Sequence, residues 1–127
     1  MSGEREEVSV EEYRELAKKS SARRRRKYNN EPVIIDGRRF DSIAEGTRYS
    51  HLKLLRDAGE ISDLQCQTKF PLHVRGHLLG EYRADFTYRD ANGTFHVEDV
   101  KGVRTDVYKW KKRHVWAEYG LMIEEIT

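Results

Sequence analysis

The sequence has little of what stabilises disulfide-rich, cysteine-metal or membrane-spanning proteins. Its 127 residues include one cysteine, Cys66, so an internal disulfide and a zinc site built from several cysteines are both excluded. No apolar run approaches the roughly 20 residues that a membrane-spanning helix needs. The chain begins Met-Ser-Gly and continues with acidic residues, which is typical of neither a signal peptide nor a transit peptide. These features predict a soluble protein of the reducing cytoplasm.

Charged side chains are abundant but nearly balanced in sign, with 24 Lys and Arg against 22 Asp and Glu. Their distribution is uneven, because residues 4–15 are mostly acidic whereas residues 18–27 and 104–113 are strongly basic. Two separated basic clusters favour an anionic polymer such as nucleic acid as the partner. A basic run can also be a solvated tail, and the first cluster alone does not decide between these two interpretations.

The length suits one compact domain rather than two. Residues 1–27 are predicted to be an appended basic arm, either helical or disordered, because they hold too few apolar side chains to form a core. Turn-forming residues 29–32 separate the arm from the main domain, which we place at residues 28–127.

The main domain alternates between strand and helix patterns. Asp36-Gly37 between short apolar runs is a strong hairpin signal. Ser42 suits the start of one helix, and Thr105 and Gly120 suit the two ends of another. The predicted elements are a hairpin at 33–40, a helix ending near 58, a strand at 64–70 closed by Pro71 or shortly after, a turn at 76–80, a hairpin at 82–100, a helix at 105–119 and a strand at 121–126. After the first hairpin the order is helix, strand, strand, strand, helix, strand, which predicts an α/β domain with a mixed central sheet and an αβββαβ core.

The second helix carries both tryptophans of the chain. Val107, Trp110 and Val115 give this helix an apolar side with some scatter. We expect Trp110 and Trp116 to pack into the core rather than to stack on nucleic-acid bases.

The hairpin at residues 82–100 brings acidic side chains and a lysine together. Asp99 and Lys101 lie two residues apart on one strand, so their side chains share a face, about 7 Å apart. A two-residue turn would place Asp85 on the opposite face, whereas a three-residue loop at 91–93 places it across from Asp99. We predict the three-residue loop, because Gly93 can adopt the left-handed conformation that its last position needs. A divalent cation would offset the repulsion between the two carboxylates, although a charged surface hairpin would contain the same residues.

Two further polar residues have alternative interpretations. Ser42 and Glu45 match a capping box, in which the glutamate only stabilises the helix start, but Glu45 could instead point at the hairpin carboxylates. Gln67 could be a solvent-facing residue of an edge strand or a neighbour of the same acidic site.

These residues together resemble the PD-(D/E)XK nuclease superfamily, which has the restriction-endonuclease-like fold. The matching strings are Arg83-Ala84-Asp85-Phe86 and Glu98-Asp99-Val100-Lys101-Gly102, on the second and third core strands. Ala84 stands where the superfamily pattern has proline, a variation that the superfamily allows. With Glu45 and Gln67, the sequence also resembles small phage and prophage proteins of unknown function assigned to that superfamily.

The resemblance implies a role for each site residue. Asp85 and Asp99 would bind Mg²⁺ or Mn²⁺, with the carbonyl of Val100 and the side chain of Glu45 as further ligands. Lys101 would orient or help to deprotonate the attacking water, and Gln67 would lie near the site. Glu98 is an alternative acid, but strand alternation turns it away from Lys101. Candidate phosphate contacts on the arm and the second helix are Arg23, Arg24, Arg25, Arg26, Lys27, Arg104, Lys109, Lys111, Lys112 and Arg113.

The resemblance implies a metal-dependent DNA endonuclease of phage or prophage origin that acts in a bacterial cytoplasm. We expect a homodimer that cuts branched DNA, as Holliday-junction resolvases of this superfamily do, because a junction enzyme makes paired cuts. A sequence-directed or nicking nuclease, or a transposase-type subunit, would leave the same motif. Two alternatives belong to other functional classes. They are a non-catalytic DNA-binding protein that keeps the fold and a basic protein-interaction module.

Overall fold

The computed structural model describes residues 31–127 and, before them, residues 10, 11, 14 and 15, which are helical. The rest of the predicted arm, including the basic residues 18–27, lies outside the described residues. None of the described helices is long and apolar enough to cross a membrane.

Within residues 31–127 the chain forms six strands and two helices. In chain order these are β1 (Val33–Ile35), β2 (Arg38–Phe40), α1 (Ile43–Asp57), β3 (Ile61–Val74), β4 (His77–Asp90), β5 (Phe95–Val100), α2 (Asp106–Tyr119) and β6 (Ile123–Ile126). Strands β3, β4, β5 and β6 form one sheet in that order, while β1 and β2 pair separately. The β3–β4 and β4–β5 pairs are antiparallel and the β5–β6 pair is parallel, so the predicted mixed sheet of an α/β protein is confirmed.

Turn and capping residues set the element boundaries much as the sequence predicts. Asp36 and Gly37 both have positive φ angles, 54° and 75°, which is the geometry of a tight two-residue hairpin turn. The Ser42 side chain accepts a hydrogen bond from the backbone amide of Glu45 at the start of α1. Gly120 ends α2 in the left-handed conformation with a φ of 70°.

The strand predicted to end at Pro71 or shortly after ends at Val74, whereas the predicted turn at 76–80 is wrong. Pro71 lies within β3, which continues to Val74. The chain reverses at Arg75-Gly76, so residues 77–80 already belong to β4. β3 lies at an edge of the sheet, where a residue without an N–H group is tolerated.

The apolar core is divided between the two faces of the sheet. On one face Tyr49 and Leu52 of α1 pack with Phe86 and other apolar residues. On the other face Tyr108 and Val115 of α2 pack with a second group, which includes Val97. The sheet therefore carries one helix on each side.

The expectation that Trp110 and Trp116 are core residues is wrong. They are 44% and 59% exposed, and the buried residues of α2 are Tyr108 and Val115. The apolar pattern of this helix was scattered, and the aromatic residue that faces the sheet is a tyrosine whose hydroxyl reaches Glu125.

Side-chain alternation along the β3–β4 hairpin changes at one position. Phe86 and Ala84 should share a face, because they are two residues apart, yet Phe86 packs with α1 and Ala84 with α2. On the paired strand, the residue between their partners is Gln67, whose φ is +57°. A left-handed residue at this point allows the outer part of the hairpin to pack against α2.

Candidate active site

The β4–β5 hairpin turns through the three-residue loop that the sequence predicts. The amide of Gly93, whose φ is +84°, donates to the Asp90 carbonyl, and the amide of Asp90 donates to the Thr94 carbonyl. The resulting register pairs Phe86 with Glu98 and, continued by one residue, sets Asp85 across from Asp99.

Asp85 lies at the point where β4 and β5 separate. The paired register ends at Phe86 and Glu98, and the amide of Val100 then donates a 2.7 Å hydrogen bond to the Asp85 carboxylate instead of to a backbone carbonyl. The same separation leaves Asp85 close to Asp99, which is 5% exposed. A carboxylate thus fills the opening between two strands of the central sheet.

Asp99 is held from two sides. The Tyr82 hydroxyl donates to its Oδ2 atom at 2.7 Å, and the Lys101 Nζ atom lies 3.2 Å from its Oδ1 atom. The Lys101 ammonium also lies 3.8 Å from the centre of the Tyr108 ring, a favourable cation–π arrangement. The structure therefore brings the D-x-K pair together, as expected from its spacing on one strand.

The sequence pattern did not indicate that Tyr82 and Tyr108 belong to the site. Tyr82 lies three residues before Asp85, a spacing that puts two side chains on opposite faces of a regular strand. The change of alternation near Gln67 brings Tyr82 to the face of Asp99, and no local sequence signal marks that change. Tyr108 could have been found as the residue one helical turn after the Thr105 cap, on the side of α2 nearest Lys101.

The site is acidic in a buried environment. Burial, followed by the charges of Asp99 and then Glu45, raises the pKa of Asp85 well above its ordinary value. Burial and the neighbouring Asp99 also raise the pKa of Tyr82, which keeps its hydroxyl proton in place for donation.

Glu45 lies at the start of α1, and its carboxylate is near the acid pair. Its backbone amide is capped by Ser42, as a helix start requires, while its side chain is 5% exposed and close enough to raise the pKa of Asp85. Gln67 is exposed on the edge strand, and the β3–β4 register sets it opposite Asp85. These placements add Glu45 and Gln67 to the surroundings of the acid pair.

Glu98 belongs to the other face of the sheet. It is fully buried, and Arg48 of α1 holds it through two hydrogen bonds of 2.7 and 2.5 Å. The Tyr88 hydroxyl also donates to Glu98. This ion pair links α1 to the back of the strand that carries Asp99.

The predicted phosphate contacts have different surroundings. Arg104 and Lys112 form ion pairs with Glu125 of β6. Lys111 is half-buried near Lys101, and desolvation lowers the pKa of Lys111. Lys109 and Arg113 are exposed. Residues 23–27 of the arm lie outside the described residues.

The donor atoms of the acid pair match the preference of Mg²⁺ for oxygen ligands. Mg²⁺ is commonly bound by one or two carboxylates together with water and substrate oxygens. A cation between Asp85 and Asp99 would also relieve the repulsion that raises the pKa of Asp85. Among the described residues, however, no group of three or more His, Cys, Asp or Glu side chains is arranged to hold a metal ion. The chain thus offers a pair of carboxylates with Glu45 nearby rather than a complete ligand cage.

Fold and site define a mixed α/β protein with a buried acid pair and a lysine on one hairpin. The chain belongs to the family described as "Protein of unknown function (DUF1064)", which matches residues 25–124 and so includes every site residue from Glu45 to Lys101. No curated protein and no solved structure shows significant similarity to the chain.

Proposed function

We propose that this protein is a Mg²⁺-dependent DNA endonuclease with a restriction-endonuclease-like core, which hydrolyses phosphodiester bonds. The observation that carries the proposal is the arrangement of Asp85, Asp99 and Lys101 on one hairpin, with a Lys101–Asp99 distance of 3.2 Å. Two carboxylates placed together in a buried site reduce stability, which is typical of residues kept for chemistry rather than for folding.

Each residue has a defined part in this proposal. Asp85 and Asp99 would hold the cation, and the Val100 amide and the Tyr82 hydroxyl fix the orientation of their carboxylates. Bound Mg²⁺, or Mn²⁺, supplies Lewis-acid stabilisation of the negative charge that develops on the phosphate.

Lys101 orients the attacking water and stabilises the nearby negative charge. Tyr108 keeps the Lys101 ammonium in position through its ring. Gln67, opposite Asp85 on the exposed edge strand, lies where it can contact the DNA strand that enters the site.

Branched DNA is the proposed substrate, and a homodimer is the proposed active form. The exposed cations Lys109 and Arg113 lie on the helix that follows Lys101, where they can contact phosphates without reading sequence. Paired cuts across a junction need two such sites, one in each subunit. The resemblance to phage and prophage proteins supports the further proposal that this activity belongs to the cytoplasm of a bacterial host.

A non-catalytic DNA-binding protein that keeps this fold is the second candidate. It is favoured by one observation, namely that the described residues contain no group of three or more metal-ligating side chains. In that case Lys101 would serve to neutralise the acid pair in the folded protein, and DNA binding would not require a divalent cation.

A cleavage assay separates the two candidates. Labelled four-way junction and a linear duplex of matched sequence are incubated with the protein in Mg²⁺, in Mn²⁺ and in EDTA. The nuclease proposal expects metal-dependent cleavage that Asp85→Asn, Asp99→Asn and Lys101→Met abolish. Asp57→Asn, which changes an exposed acid on α1, is the matched control and should cleave normally.

Each alternative result has a definite meaning. Binding without cleavage in either metal would reject the enzyme and support the DNA-binding candidate. Equal cleavage of junction and duplex would reject the preference for branched DNA while leaving the nuclease intact.

A further inference from the structure

A groove of about 560 Å³ lies between α2 and the segment that leads into β6. Its apolar walls include Trp110 and Trp116, which are the two tryptophans of the chain, and Met122, which is 68% exposed. Its volume is within the roughly 300–1,000 Å³ of typical small-ligand sites. Burying apolar surface is favourable, so a partner that covers the two half-exposed tryptophan rings would gain binding free energy from them.

The groove lies on a different side of α2 from the candidate active site. Tyr108 contacts Lys101, and Trp110 follows it by two residues, which is about 200° around the helix axis. The Trp110 ring is set by an edge contact with His114, at a ring-centre distance of 6.3 Å. Trp110 and the candidate active site thus lie on different sides of α2, whereas Lys112 at the edge of the groove shares Glu125 with Tyr108.

The groove is lined by cations, while acidic side chains lie just behind its walls, Glu125 beside Lys112 and Glu118 beside His114. Lys112 and Arg113 line it, and no acidic residue is among the described residues that do so. The Lys112 ammonium is oriented by Glu125 of β6 at 2.8 Å, and Arg113 is exposed. Aromatic rings can stack on nucleic-acid bases, and neighbouring cations can contact the phosphate backbone, so this surface suits a nucleic acid. Because Lys112 is paired with Glu125, the exposed Arg113 is the lining cation placed to contact a phosphate.

We propose that this groove binds an unpaired segment of DNA, with bases stacked on Trp110 and Trp116 and phosphates near Arg113. The proposal rests on the proposed function in taking DNA as the partner. It adds that the substrate contains unpaired nucleotides, because bases inside a duplex cannot present their faces to the rings.

Intrinsic fluorescence tests the proposal directly, because both tryptophans of the chain line the groove. The full-length protein is titrated in EDTA with a single-stranded thymidine oligonucleotide and with a duplex of the same length. We expect saturable quenching by the single strand and weaker quenching by the duplex. Anisotropy measurements should show that Trp110→Ala and Trp116→Ala each weaken single-strand binding roughly 5- to 150-fold.

Two further variants separate stacking from general effects. Trp116→Phe keeps an aromatic face and should retain part of the affinity that Trp116→Ala loses. Leu54→Ala removes a similarly exposed apolar side chain from α1 and should bind normally. Unchanged affinity of both Trp→Ala variants would overturn the proposal. Tryptophan emission that changes with protein concentration alone, together with a dimer mass, would also overturn it, because a second copy would then cover the groove.

The test keeps this proposal distinct from the nuclease proposal. Asp99→Asn should abolish cleavage but leave the quenching by single-stranded DNA unchanged. Cleavage of DNA without quenching of tryptophan fluorescence by the single strand would overturn the groove proposal alone. Quenching of tryptophan fluorescence without any cleavage would overturn the nuclease proposal and support the groove proposal.

Discussion

Lys101 and Asp99 form an ion pair with an Nζ–Oδ1 distance of 3.2 Å, and their side chains are only 8% and 6% exposed. Asp85 adds a second carboxylate to the same buried place, so one cation faces two acids. A buried group of this kind is unbalanced in charge, and the imbalance leads to measurable consequences for stability and for cation binding.

The first prediction concerns the stability of the acid pair. Asp85→Asn should raise the free energy of unfolding by about 1 kcal/mol, because the amide removes a like charge and can still accept the Val100 hydrogen bond. The same change should abolish cleavage. Urea unfolding of the wild type and the variant measures the first effect, and the junction assay measures the second.

Asp57→Asn is the control for this prediction, since Asp57 is exposed and lies at the opposite end of α1 from Glu45. Its effect on stability should lie within about 0.5 kcal/mol. A clear loss of stability in Asp85→Asn would mean that the carboxylate belongs to a structural network rather than to a site arranged for a cation.

The second prediction concerns stabilisation by Mg²⁺. A ligand that binds only the folded state raises its stability, by about 2.7 kcal/mol at a concentration 100 times the dissociation constant. Thermal unfolding should therefore shift upwards as Mg²⁺ is added to the wild type, and EDTA should reverse the shift. Asp99→Asn should show a much smaller shift. An equal shift in both proteins would place cation binding away from the acid pair.

The third prediction concerns the buried pair of Arg48 and Glu98. Arg48→Met should lower the free energy of unfolding by about 3–5 kcal/mol, because it leaves a fully buried carboxylate without its cation. The double variant Arg48→Met/Glu98→Gln should recover much of that loss, since the unpaired charge is gone. Arg39→Ala, which breaks an exposed ion pair with Asp41, should cost less than about 1 kcal/mol. Similar losses from the two single variants would contradict the prediction.

The fourth prediction concerns the pH dependence of stability. Hydrogen bonds to Asp90 and then to Glu124 raise the pKa of His96 above its ordinary 6.5, despite some opposing desolvation. The protonated His96 thus stabilises the folded state fully below pH 6.5, and this contribution is lost as the pH rises through the raised pKa.

Urea unfolding one pH unit below and about two units above 6.5 tests this sign. The difference in unfolding free energy between the wild type and His96→Gln should favour the wild type more at the lower pH. A difference that is constant across this range, or larger at the higher pH, would refute the proposed protonation.

The fifth prediction concerns the backbone at Gln67. A left-handed conformation costs a residue with a side chain on the order of 1 kcal/mol relative to glycine, and Gln67 has a φ of +57°. Gln67→Gly should therefore raise the unfolding free energy by about 1 kcal/mol. Gln65 is the matched control, because it is also exposed on β3 but is not among the residues with positive φ. Gln65→Gly should lower stability, and a loss in both variants would show that Gln67 is not strained.

The hairpin and helix ends could be predicted because their causes are local. Gly93 and Asp36-Gly37 need positive φ angles at defined loop positions, and Ser42, Thr105 and Gly120 satisfy helix-end amides or conformations. These signals predict the element order, the three-residue loop and the position of Asp85 opposite Asp99.

What the sequence did not predict depends on distant packing. Pro71 remains within a strand because that strand lies at the sheet edge, a position that local sequence does not reveal. Trp116 is exposed because Tyr108 and Val115, rather than the largest aromatic residues, face the sheet. Tyr82 reaches Asp99 only because the strand alternation changes near Gln67.

The short loop between β4 and β5 also determines when the candidate site can assemble during folding. Asp85 and Val100 are 15 residues apart in the chain, so the loss of chain entropy on bringing the two acids together is small. The parallel pairing of β5 with β6 instead requires a crossover through α2, which is a slower kind of contact to form. The acid pair and its lysine thus form a local unit whose geometry can be reached before the last strand joins the sheet.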